Sequence, residues 1–106
     1  MAGTEWAPMD GGWTIGTAGS EGGIILRDDE HPLGSRITLE RGGSTAPFAV
    51  TCGIYGSMFH TAFAGTEAEA SAKYDAMRNR LSELLALPDD NREAYYAALD
   101  CFVNDF

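Results

Sequence analysis

Ten glycines fall between Trp13 and Gly65, and none follows Gly65. Each glycine inside a helix costs about 1 kcal/mol relative to alanine. That boundary therefore splits the chain into two kinds of structure. Before it, Ile, Val, Thr and aromatic residues alternate with turn clusters, the composition of strands and turns. After it, alanine and leucine become frequent, which is helix composition. The order predicts an α+β fold: an antiparallel β-meander of four to five strands followed by two C-terminal α-helices packed on one sheet face. A length of 106 residues is that of one domain. Residues 1–12, rich in Gly, Pro and small residues, read as a loose N-terminal arm whose Trp6 can dock on the body. Residues 13–106 read as a single α+β domain.

The helical half carries its own boundaries. Thr66 followed by Glu67, Ala68 and Glu69 is a capping box. Ala70, Tyr74, Met77, Leu81 and Leu84 then recur at spacings of 4, 3, 4 and 3, which places them on one helix face. Pro88 disfavours helical geometry in the residue before it, so the helix is expected to end near Leu87. A second helix is expected to start near Asp90, with Glu93 reaching back. Its stripe is Tyr95, Leu99, Phe102 and Phe106. The short link between the helices predicts antiparallel packing.

The β half divides into strands at about 13–18, 23–29, 35–41, 47–55 and 58–64, joined by short turns that argue a meander. The acidic loop "RDDEHPLGS" offers Asp28, Asp29, Glu30 and His31 to a metal. Adjacent strand residues point to opposite faces, however, so the run does not converge on one ion. It reads instead as a hairpin with Pro32 and Gly34 in its turn. A register with Glu30 facing Ser35 pairs Leu26 with Leu39 and Asp29 with Arg36. It also leaves Asp28 beside Ile37, without a reason.

"TCGIYGSMFHTAF" raises the possibility of a Cys52–His60 dyad. A two-residue turn at Gly56-Ser57, with Gly first as a type II′ turn wants, puts Tyr55 opposite Met58 and Gly53 opposite His60. Cys52 then joins Val50, Ile54, Phe59 and Phe63 on the core face. His60 falls on the other face with Tyr55 and Thr51. On this reading there is no dyad, and Cys52 is a small core residue. A Cys52–Cys101 bridge is a minor alternative.

The second sheet face does not alternate cleanly. Ile24, Ile25 and Leu26 are consecutive apolar residues, so at least one faces away from the helices. Ile25, Ala49, Tyr55, Met58 and Ala62 make that face semi-apolar and define a candidate interface. Trp13, Trp6 or a second subunit is expected to cover it. His60, Tyr55, Thr51 and Gly53 define a candidate ligand site on the same face.

Charge narrows the partners. The net charge is -9, spread over both halves of the chain. Clustered Lys and Arg are missing, which argues against nucleic acid and against an anionic membrane surface. The amino-terminal stretch does not read as a secretory signal. Two cysteines without such a signal suggest free thiols in a reducing compartment, and so the cytoplasm. No phosphate loop, dinucleotide fingerprint, zinc pattern or hydrolase elbow is present, so neither cofactor nor catalytic residue is assigned. The leading expectation is a non-catalytic interaction module that forms a homodimer or docks a protein partner through the second sheet face. The alternative is a small-molecule-binding domain or minor enzyme centred on His60, Tyr55 and Thr51. A third reading is an acidic inhibitor that covers a basic site, which a clustered acidic face of Asp89, Asp90, Glu93 and the capping acids would strengthen.

Overall fold

The strand-and-turn half folds into one five-stranded antiparallel sheet, and the glycine-free half into two helices on one of its faces. This is seen in a computed structural model that describes residues 5–87, 90 and 92–106. The strands are β1 (Ala7–Pro8), β2 (Ile24–His31), β3 (Ser35–Arg41), β4 (Phe48–Ile54) and β5 (Met58–Ala64), and they lie in sequence order across the sheet. The helices are α1 (Glu67–Leu85) and α2 (Arg92–Asp105). The α+β meander with two C-terminal helices is therefore the fold.

The first strand is not where composition put it. Residues 13–18 form turns and a single bridge, Ala18 to Ile24. The two-residue β1, which pairs with Glu30 and Asp29 of β2, takes the sheet edge instead. Next to it, Trp6 is buried. Its Nε1 donates to Ser82 Oγ at 2.7 Å, and its ring meets the His31 ring edge-on at 5.1 Å.

α1 buries Ala70, Tyr74, Met77, Leu81 and Leu84, the stripe the spacing predicts. Thr66 caps it, its hydroxyl accepting from Glu69 N–H at 3.2 Å. In α2, Leu99 and Phe102 are buried, while Tyr95 and Phe106 pack partly buried against the core. Pro88 and Asp89, on which the expected helix end and acidic face rest, lie outside the described residues. The core fills the space between α1, α2 and the inward side chains Ile37, Leu39, Val50, Cys52 and Ile54.

Both hairpins differ from the expected registers by one residue. His31 pairs with Ser35 and Glu30 with Arg36, across a three-residue loop rather than four. Ile54 pairs with Met58, Gly53 with Phe59 and Cys52 with His60, across a three-residue loop rather than two. The cause in the second hairpin is the place of Gly56 in its turn. Ser57 N–H donates to the Ile54 carbonyl at 2.9 Å, and Gly56 has φ 81°. Gly56 is thus the second central residue of a type II turn, where positive φ is required, and not the first of a type II′ turn. A one-residue slip moves every side chain of a strand to the opposite face. Phe59 and Phe63 accordingly leave the core face, while Met58, His60, Ala62 and Ala64 enter it.

Candidate functional site

The corrected register separates the residues that were grouped together. His60 lies on the helix side, its ring 6.1 Å from that of Phe102. Its Nε2 is buried and has no hydrogen-bond partner among the described residues. Cys52 is directly opposite it. The expectation of opposite faces is therefore overturned, yet the pair is not a nucleophilic dyad. Burial pushes the Cys52 thiol from 9.0 up to about 12, which keeps it protonated near neutrality. Cys101 is exposed, and both cysteines are free.

The acidic run is divided between faces as well. On the helix side, Asp29 accepts from the Tyr74 hydroxyl and pairs with Arg78 at 3.2 Å. Burial, reinforced by the Asp29 carboxylate, pushes the Tyr74 hydroxyl well above its usual range. Arg27 lies over the Tyr74 ring at 4.0 Å and pairs with Asp75. The buried His31 contacts Glu5 through Nε2 at 2.9 Å, and its Nδ1 accepts from Leu33 N–H at 3.1 Å. Accepting at Nδ1 places the ring proton on Nε2, toward Glu5.

On the other face, Asp28 pairs with Thr38 rather than Ile37 and reaches diagonally to Arg36. Two hydrogen bonds join them: Nε to Oδ1 at 3.0 Å and Nη2 to Oδ2 at 2.7 Å. The Asp28 carboxylate is fully buried beneath this fork. Hydrogen bonding to Asp28 raises the pKa of Arg36 above its ordinary value, outweighing partial burial. This bidentate pair is the reason for Asp28 that the expected register lacked.

Residues 14–23 fold over the same face. Ile25 N–H donates to Thr17 O at 2.9 Å, and Gly16 N–H donates to Ile25 O at 2.8 Å. Glu40, fully buried on the sheet, accepts from Gly23 N–H at 2.8 Å and Glu21 N–H at 3.2 Å. Gly19 lies directly on this carboxylate: a Cβ there would come 2.4 Å from Glu40 Oε2. The chain itself thus covers the upper part of the second face, burying Ile25 and Ala49. Trp13, expected as a cover, is 86% exposed. A β-bulge at Leu26 settles the apolar triplet: Ile25 pairs with Glu40 on this face, and Leu26 packs against the core.

The loop leaves the lower part of the face open as a groove of about 710 Å³. Ala18 to Ser20 form one wall, the β4–β5 hairpin with Tyr55 and Phe59 the other, and Thr38 and Thr51 the floor. Phe59 faces Gly53 across the strands, and its ring lies where glycine leaves room. Of the expected ligand residues, Thr51, Gly53 and Tyr55 line the groove and His60 does not. Of the expected interface residues, Ile25 and Tyr55 line it, Met58 borders it at the hairpin end while packing against the core, Ala49 is buried, and Ala62 is in the core. Arg36 and Phe59 belong to the site and were missed, because the hairpin register alone turns them toward it. Among the described residues, no helix is long and apolar enough to cross a membrane.

No protein-family model, no curated protein and no solved structure matches this chain.

Proposed function

We propose that this domain is a non-catalytic interaction module that self-associates along the β5 edge of its second sheet face, with a second copy as partner. The observation that carries this reading is β5, an edge strand without a single charged residue or proline. Edge strands are ordinarily protected by charge, proline or a cover. Instead, β5 shows Phe59 at 73% exposure and Phe63 at 38% on the outer face.

The strand is also self-complementary. The Phe63 carbonyl accepts from Lys73 Nζ at 2.7 Å and so points away from β4. By the alternation of an antiparallel ladder, Phe59 and Thr61 present their backbone groups in the same direction. A two-fold axis at Thr61 would pair Phe59 of one copy with Phe63 of the other, twice, on one face. Such cross-strand aromatic pairs contribute about 0.2–1 kcal/mol each beyond the ladder hydrogen bonds. An isologous contact of this kind closes as a dimer. Lys73 holds one edge carbonyl, and this reading must displace it. The two free cysteines fit a reducing compartment such as the cytoplasm.

Sedimentation equilibrium of the wild type and of Phe63→Asp tests the proposal. The expected result is a wild-type dimer that the substitution converts to monomer without loss of fold. A wild type that remains monomeric at high micromolar concentration sinks it.

A further inference from the structure

The groove has a chemistry separate from the β5 edge. Its floor spends its own polar groups: the Thr51 hydroxyl bonds with the Thr61 hydroxyl at 3.2 Å, and Thr38 Oγ1 reaches Thr51 O at 3.4 Å. Its walls are the loop 18–20 and the rings of Tyr55 and Phe59. The hydroxyls of Ser20, Tyr55 and Ser57 also line it, but its charged donor is Arg36. Arg36 uses Nε and Nη2 on Asp28, and no hydrogen bond among the described residues takes Nη1. The Asp28 fork fixes the plane of the guanidinium, so Nη1 is oriented before any ligand arrives.

We infer that this groove is a binding site for a neutral, flat, mostly apolar small molecule with a carbonyl acceptor, which Arg36 Nη1 hydrogen-bonds. Size supports this: about 710 Å³ lies within the usual range of small-molecule pockets, roughly 300–1,000 Å³. Shape supports it, because the floor is the pleated surface of β3 and β4, and the exposed wall of Tyr55 and Phe59 is aromatic. Charge selects a neutral ligand. The Arg36 cation is already balanced by the fully buried Asp28 carboxylate. An anionic ligand would set two negative charges on one positive charge, in a protein of net charge -9. A carbonyl accepts the remaining hydrogen bond without that penalty.

The probe is Prodan, a neutral naphthalene ketone with solvatochromic emission, titrated against the whole protein. Its comparators are 2-dimethylaminonaphthalene, which lacks the carbonyl, and anilinonaphthalene sulfonate, which is anionic. The expected result is a saturable blue shift at one Prodan per chain. Affinity for the ketone should exceed that for the carbonyl-free amine by roughly tenfold, from one charge-assisted hydrogen bond. Amide shifts in a nitrogen–proton correlation spectrum should centre on Thr38, Thr51 and Gly53. Tyr55→Ala should weaken binding several-fold. Arg36→Lys, which still pairs with Asp28, should erase the preference for the ketone. Phe63→Asp lies outside the groove and should still bind one Prodan per chain with the preference for the ketone, so failure of the dimer reading leaves this site standing. The inference is overturned by a non-saturable response, by shifts on the helix face, or by the sulfonate binding as tightly as Prodan.

Discussion

The two faces of the sheet are covered in different ways. On the helix side, two elements twelve or more residues long lay continuous apolar stripes on Ile37, Leu39, Val50 and Cys52. On the other side, the cover is a glycine-rich loop that is held by hydrogen bonds, from its amides to the Glu40 carboxylate and between its backbone and Ile25. Hydrophobic burial is non-directional and spreads over area. A hydrogen-bonded clamp acts at a point. The first kind of cover closes most of its face. The second closes only the part of the sheet within reach of its amides and leaves a groove and the bare outer side of β5. The open surface of this face is therefore the part that the clamp does not reach.

This contrast can be broken at either face. The largest effect is expected from Phe102→Ala, which empties a fully buried ring site between α2 and the sheet. Chemical denaturation should show a loss of about 3–5 kcal/mol. Glu40→Ala should cost less, about 1–3 kcal/mol in all, since of its two amide partners only the Gly23 N–H is fully buried. Its distinctive sign should be local: hydrogen exchange should speed up for Glu21 and Gly23 while the helices stay protected. Gly19→Ala should act at the same place by contact, since its methyl and the Glu40 carboxylate cannot share that space. Global unfolding of either variant together with α1 would show that the clamp and the core are one cooperative unit.

Cys52 sharpens the comparison through pH. Its folded pKa of about 12 lies above the ordinary 9.0. The folded state therefore holds the proton more tightly, and the stability this contributes is fully present below about pH 9. It is lost as pH rises toward 12. In Cys52→Val the denaturation midpoint should fall less steeply over that window; an unchanged slope would remove Cys52 as the cause. The smallest effect on stability is expected at Lys73. Lys73→Met should leave the denaturation midpoint within about 0.5 kcal/mol of wild type. It should nevertheless tighten self-association by freeing the Phe63 carbonyl. Weaker association of that variant would count against pairing along β5.

The legible parts of the sequence were those in which local periodicity and local capping agree. The α1 stripe from Ala70 to Leu84 and the Thr66 cap are both contained within a few residues of one chain segment. The strand segments from Ile24 to Ala64 were placed nearly as well, because turn residues bound them. The candidate site was legible only in part. Thr51, Gly53 and Tyr55 were placed on the correct face, since β4 keeps its orientation under either turn. His60 was misplaced and Phe59 was missed, because β5 inherits its facing from a turn that differs by one residue. The turn residues Tyr55, Gly56 and Ser57 allow both forms, and no residue of β5 decides between them by its own propensity.

The sequence by itself determined the class of fold, the order of its elements and the inward stripe of each helix. These depend on spacing and composition, which are properties of neighbours along the chain. Tertiary structure alone decided three further things. It put Phe59 and Phe63 outside and His60 inside, by fixing Gly56 at the second central position of its turn. It gave Asp28 its place beneath Arg36. It brought residues 14–23, which have strand composition, down over Glu40 as a loop. The first two are set within single hairpins and the third joins residues 17 and 19 apart, yet the energy of each exists only once the sheet has formed.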